Sequence, residues 1–190
     1  MSGANASPTG RSHKLMMNPK IVRSFILGAT LAYLVPALAL VLSARFGVLP
    51  VQADVAPSRA EAALLGAVLH ATVAHHATNG RNPLPASNDM LMAGAATYRE
   101  VCAHCHGISR ESDNSLGRSF YPPAPQLPLI RTSYTDSELF WIVKHGIRNT
   151  AMPAWGNLLP DDEIWQVVAV IRDFDSLPDS VTAALRHHHQ

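Results

Sequence analysis

Apolar and polar positions along the chain change period several times. Residues 1–20 are rich in Ser, Gly, Asn and Pro and show no apolar periodicity, so they read as a disordered cytoplasmic tail. Ser24 to Ala44 then runs for 21 residues without a charge. At ~1.5 Å rise per residue such a helix just spans a hydrocarbon core of ~30 Å, which predicts a transmembrane anchor over 21–45. Pro36 lies inside it, as membrane helices tolerate. Ser58-Arg59-Ala60-Glu61 is a capping-box pattern opening an Ala/Leu/His helix that stops near Asn79-Gly80. Its apolar positions cover more than one face, so it is expected to pack on something. Asn82-Pro83-Leu84-Pro85 follows as a stiff linker, and 46–87 reads as a helix and linker.

From Ser87 the pattern becomes that of a helical domain. Asn88 to Val101 reads as a helix with Gly94, Tyr98 and Cys102 near one face. A glycine there permits close approach of another helix, and the aromatic adds apolar area at the crossing. Beyond Gly107 the chain reads as irregular, with three prolines in Pro122-Pro123-Ala124-Pro125. A second capping box, Thr135-Asp136-Ser137-Glu138, opens a helix Asp136 to His145 closed by Gly146. The last strong helix, Asp161 to Phe174, carries Ile164, Val167, Val168 and Ile171 at helical spacing, and its natural partner is the Gly94–Tyr98 helix. Residues 178–190 read as a tail ending in three histidines.

The formal net charge of +1 hides an asymmetry. Arg11, Lys14, Lys20, Arg23 and Arg45 all precede the first acidic residue, Asp54, and the remainder has fourteen acidic against ten basic residues. Four cations before the apolar run and one close behind it place the N-terminus in the cytoplasm and the rest outside. A cleaved signal peptide is the alternative, since Val51-Gln52-Ala53 fits a small-residue cleavage pattern. The apolar run, however, is longer than an h-region of roughly 7–15 residues. No basic face or basic-aromatic interleaving points to nucleic acid.

The chemistry concentrates in Cys102-Ala103-His104-Cys105-His106. Cys-x-x-Cys-His is the spacing of covalent c-type haem attachment: two thiols add to the vinyl groups and the adjacent imidazole becomes an axial ligand. A zinc site would need further ligands, and these are the only two cysteines. A thioredoxin-like motif needs a βαβ setting that the pattern lacks. Attachment of haem c also implies export, in agreement with the charge rule. A proline carbonyl in the 121–127 loop is expected to accept from His106 Nδ1, without a choice among the prolines. Met152, 46 residues beyond His106 and the only methionine after the motif, is the expected second axial ligand, with His145 as runner-up. His70, His75 and His76 complete no metal-site spacing and read as polar helix positions.

Gly94, Tyr98, Cys102-x-x-Cys105-His106, the short helix before Gly146, Met152-Pro153 and Glu163-Ile164-Trp165 together resemble the class I, single-haem cytochrome c family, most of all its membrane-anchored bacterial members. The resemblance covers roughly 88–177. It implies an all-α cytochrome c fold with crossing terminal helices, one haem c on Cys102 and Cys105, and His106 and Met152 as iron ligands. Val170 stands where many members carry an aromatic, and Pro160 where Ser or Thr usually caps the last helix.

The resulting expectation is an electron carrier rather than an enzyme. It is tethered to the inner membrane through 24–44, holds its haem domain in the periplasm and exchanges electrons with redox proteins at that membrane. If cleaved near Ala53 it would be periplasmic. A fixed cytochrome subunit of a membrane dehydrogenase or terminal oxidase is the rival reading. A haem peroxidase or gas-binding protein is the third, and Met152 argues against it because it fills the sixth position.

Overall fold

A computed structural model describes residues 18–49, 51–52, 55–77, 80–109 and 114–186. Most of the expected tail 1–20, the cleavage pattern at Ala53-Asp54 and the terminal histidines lie outside the described residues. The chain divides into two units, Met1–Val51 and Gln52–Gln190.

In the first unit, helix α1 spans Pro19–Arg45. Asn18 caps it by accepting from the Lys20 amide at 3.0 Å, and Pro19, whose missing N–H costs nothing in the first turn, follows. The helix continues through Pro36, and none of its residues is buried. Among the described residues it is the one helix long and apolar enough to cross a membrane.

The second unit is helical, with no strand among the described residues. Helices α2 (Arg59–His76) and α3 (Asn88–Thr97) precede the motif. A π-helical turn, Tyr98–Cys102, leads into α4 (Ala103–His106). Helices α5 (Ser115–Ser119), α6 (Asp136–His145), α7 (Asp161–Asp173) and α8 (Asp179–Arg186) follow. The expected single helix 88–101 is thus α-helical only to Thr97; the wider turn carries it on to the first cysteine.

The core forms where α3 crosses α7. Ala95 and Tyr98 on one side meet Ile164, Val167, Val168 and Val170 on the other, all fully buried. Gly94 makes the crossing possible: a Cβ there would collide with the Gln166 carbonyl and lie 3.1 Å from Val170 Cγ2. Val170 therefore fits against the glycine backbone, and Phe174, one turn on, supplies the aromatic partner edge-to-face with Tyr98 at 5.2 Å. Three acidic residues stand in the first turn of α7, where they favour its N-terminus, and Pro160 makes no side-chain cap.

Helix α6 packs on α7 through Phe140 stacked on Trp165 at 4.2 Å. Its capping box is complete, with Thr135 and Glu138 bonding reciprocally to each other's amides. Asp136 in its first turn accepts from Arg172 Nε of α7 at 2.9 Å, while Arg172 also donates to the Tyr134 carbonyl at 2.6 Å.

Helix α2 lies in the same compact unit as the helices that follow and packs there against α6. Val73 is fully buried, His70 stacks on Tyr134 at 5.1 Å and His76 on Trp141 at 5.9 Å. Asn82 pins the following connection: its side-chain amide donates to the Trp165 carbonyl at 2.9 Å, and its oxygen accepts from Leu84 N at 3.0 Å.

The expected tail from 178 is corrected over 179–186. Those residues form α8, which packs on α3 with Val181 and Leu185 buried and with Arg99 donating to the Ala184 carbonyl at 2.7 Å. Two apolar residues at i and i+4 suffice because a finished core offers them a surface. A solvated tail would tolerate truncation there without loss. Leu185→Ala is instead expected to destabilise the domain by about 2–4 kcal/mol, read from denaturant unfolding of the haem-loaded protein.

Candidate haem site

The motif lies where the π-helical turn meets α4. Cys102 is buried against the core and Cys105 is half-buried. Burial first, and the neighbouring Cys105 second, push the Cys102 thiol up to about 12. Tyr98 closes the motif from behind. Burial, then Cys102, holds its phenol protonated far above the usual range, and its hydroxyl donates to the Gly107 carbonyl at 2.8 Å. Gly107 ends α4 in the left-handed region, φ 77°, with its amide on the Ala103 carbonyl at 2.8 Å.

His106 is held by a backbone carbonyl, as expected, and the proline is Pro125. Its oxygen lies 2.8 Å from Nδ1. A carbonyl only accepts, so Nδ1 carries the proton and Nε2 keeps its lone pair free. Burial pushes the imidazole pKa down, which outweighs the opposing carbonyl bond and favours the neutral ring a metal needs.

Residues 114–126 are stitched beneath the motif by a network that periodicity did not reveal. The Asn114 side-chain amide donates to the Cys105 carbonyl and, at 2.9 Å, to Gln126 Oε1, while its oxygen accepts from Gly117 N at 3.1 Å. Gln126 Nε2 reaches the same Cys105 carbonyl at 3.2 Å. Gly117 has no room for a side chain, since a Cβ would collide with that carbonyl, and its own carbonyl accepts from Ala124 N at 2.8 Å. The carbonyl left without an intrahelical partner at the end of α4 is thus satisfied twice, and the Pro125 oxygen is delivered under His106. An Asn three residues before a Gly, beyond a Cys-x-x-Cys-His run, was the available signal.

Met152 is half-buried and packs against the core cluster. A tight turn presents it. Ile147 N donates to the Met152 carbonyl at 3.1 Å, Thr150 Oγ1 donates to the Ile147 carbonyl at 2.7 Å, and Met152 N donates back to Thr150 Oγ1 at 3.1 Å. Asn149 takes φ 60°, which its short polar side chain tolerates. Gly146 is required twice over: its φ is 65°, and a Cβ would lie 2.5 Å from the Pro153 carbonyl carbon and 2.7 Å from the Met152 oxygen. His145, the runner-up ligand, is exposed and lies against Trp141 at 4.9 Å.

Two thiols, a neutral imidazole with a free Nε2 and a thioether form a donor set that fits haem c. Residues 89–171 match the model of a c-type cytochrome family and form a domain of class I cytochrome c type. The family model matched over those residues is described as cytochrome C oxidase, cbb3-type, subunit III. Members of the cytochrome c family carry covalently bound haem c and transfer electrons.

Gly146→Ala tests the support of the turn. Left-handed strain alone costs ~1–2 kcal/mol, and the overlap with Pro153 and Met152 adds to it. The expected outcome is a less stable protein with a perturbed haem absorption spectrum. Ala151→Gly, in the same loop on an exposed residue, leaves the spectrum unchanged.

Proposed function

We propose that the chain is a membrane-tethered periplasmic cytochrome carrying single electrons, with its haem attached at Cys102 and Cys105 and its iron between His106 and Met152. The carrying observation is the pair of backbone devices on separate segments: the Pro125 carbonyl that fixes the His106 ring, and the Gly146-dependent turn that presents Met152. The haem supplies an iron that cycles between ferrous and ferric. The residues supply orientation and environment. Pro125 holds the imidazole in one tautomer and raises its basicity. The Met152 thioether favours the ferrous form and fills the position that oxygen chemistry would need. The apolar core around Cys102 and Tyr98 disfavours added charge, which also raises the potential.

Helix α1 would be the tether, with Arg23 and Lys20 at its cytoplasmic end. Tethering replaces free diffusion with a high effective concentration near membrane partners. A fixed subunit of a terminal oxidase is the second reading. It is favoured by the description of the matched family and by α2, an element that widens the domain.

Ferric protein is expected to show the weak methionine–iron charge-transfer band. Met152→Ala should abolish that band, lower the reduction potential and open the ferrous protein to carbon monoxide; a band that persists in the variant removes Met152 as ligand. N-terminal sequencing of the mature protein checks the tether, which is lost if the chain begins at Asp54. Purification in mild detergent separates the two readings: a stoichiometric partner favours the oxidase subunit, a single chain the carrier.

A further inference from the structure

Helix α2 has two faces of unlike use. Its inner face is spent on α6 and the residues leading into it, with Val73 buried, His70 stacked on Tyr134 and His76 on Trp141. Its outer face carries Leu64, Leu65 and Val68, at 65%, 60% and 53% exposure. At 100° per residue these three fall within an arc of about 100°. From Ala62 to Ala74 the helix has no Asp, Glu, Lys or Arg. A helix that solvates an outer face normally carries charge there.

The chain that leads to this helix has the same character. Only thirteen residues, 46–58, separate α1 from α2. A solvated spacer is expected to be rich in Gly, Ser or charge. This one holds Phe46, Val48, Leu49, Val51 and Val55, all exposed, and Asp54 as its single charge. Fully extended it reaches ~45 Å, which is the upper limit on the distance from the end of α1 to the start of α2. Apolar side chains following a membrane span partition into the headgroup layer, where Phe, Leu and Val gain burial without crossing it.

We infer that the linker and the outer face of α2 lie in the outer headgroup layer of the membrane, Leu64, Leu65 and Val68 being the lipid-contacting residues of the haem unit. The inference rests on the retained anchor of the proposed function. The occupant is lipid, because a short linker with a single charge, and with Phe46, Val48, Leu49, Val51 and Val55 exposed, joins the membrane span to the helix that bears this face. Glu61 and His75 fall on the same face before and after these three and close the patch at its two ends along the helix axis. Such an attachment would hold one side of α2, and through its inner face α6, toward the membrane, limiting the orientations in which the haem unit meets a membrane partner.

The test is photolabelling of the full-length, haem-loaded protein in nanodiscs of phosphatidylcholine and phosphatidylglycerol doped with a lipid bearing a diazirine on its acyl chain. Adducts are mapped by mass spectrometry. Expected are adducts on α1 and on the α2 peptide at Leu64, Leu65 or Val68, and none on the α8 peptide around exposed Ala183. In Leu65→Glu with Val68→Glu, α2 adducts drop at least tenfold, the factor that about 1.4 kcal/mol of lost burial gives. In that variant α1 adducts and the haem spectrum are retained, which shows that the fold is intact. Adducts confined to α1, with α2 clean in the unsubstituted protein, overturn the inference and leave the tether standing. A cross-linked second copy or a partner protein over a lipid-free α2 overturns it too. Loss of adducts on both α1 and α2, with the chain beginning at Asp54, overturns it by way of the anchor reading.

Discussion

Helices α3 and α7 touch backbone to backbone because position 94 has no side chain. The Gln166 carbonyl occupies the space a Cβ would take, and Val170 packs against what remains. That single steric allowance sets how closely the two helices cross, and the crossing positions most of the haem unit. It buries Tyr98, which lies one turn beyond Gly94 and donates forward to the Gly107 carbonyl. It fixes the end of α3, from which the π-helical turn delivers Cys102 into the core. It leaves the far side of α3 free to accept α8. A larger residue at 94 would not merely loosen one contact; it would move the motif relative to the helix that roofs it, since packed interiors transmit such shifts.

The parts not fixed by the crossing are fixed by hydrogen bonds to main-chain carbonyls. The Cys105 carbonyl gathers Asn114 and Gln126, and Pro125 then meets His106. On the other segment, the turn from Gly146 to Met152 is closed by its own amides and by Thr150. Backbone acceptors suit this purpose. They cannot titrate or change rotamer, so the position of the imidazole and of the thioether is insensitive to side-chain disorder at the surface. With iron between those two groups, as proposed, such rigidity keeps ligand geometry the same in both oxidation states. Little reorganisation then accompanies electron transfer.

Much of the architecture was legible in the residues themselves. Helix α6 announced both its ends with Thr135 and Gly146, and α7 its buried face with Ile164, Val167 and Ile171. Gly94 and Tyr98 could be placed on the crossing because helical spacing relates them to Cys102. Three things were not legible, for physical reasons. Helix α8 has only Val181 and Leu185 to bury, too few to signal a helix before a core exists to receive them. The network of Asn114, Gly117 and Gln126 joins residues that share no period, because its geometry is set by one carbonyl. The union of α2 with the haem unit rests on His70, His76 and Asn82. Such residues read as solvated until the aromatic rings and the free carbonyl they meet are in place.

His70 and His76 hold α2 by stacking rather than by a salt bridge. Against Tyr134 and Trp141, their rings contribute flat apolar area. Aliphatic residues at 70 and 76 would pack as well but would extend the outer apolar patch around the helix, leaving it without a polar boundary. Charged residues would give the boundary but lose the stacking area. Histidine meets both demands, and so α2 can face the core on one side and remain apolar on the other. With α1 retained as the proposed anchor, such a helix suits a place beside lipid, and the short, charge-poor linker permits it to reach one.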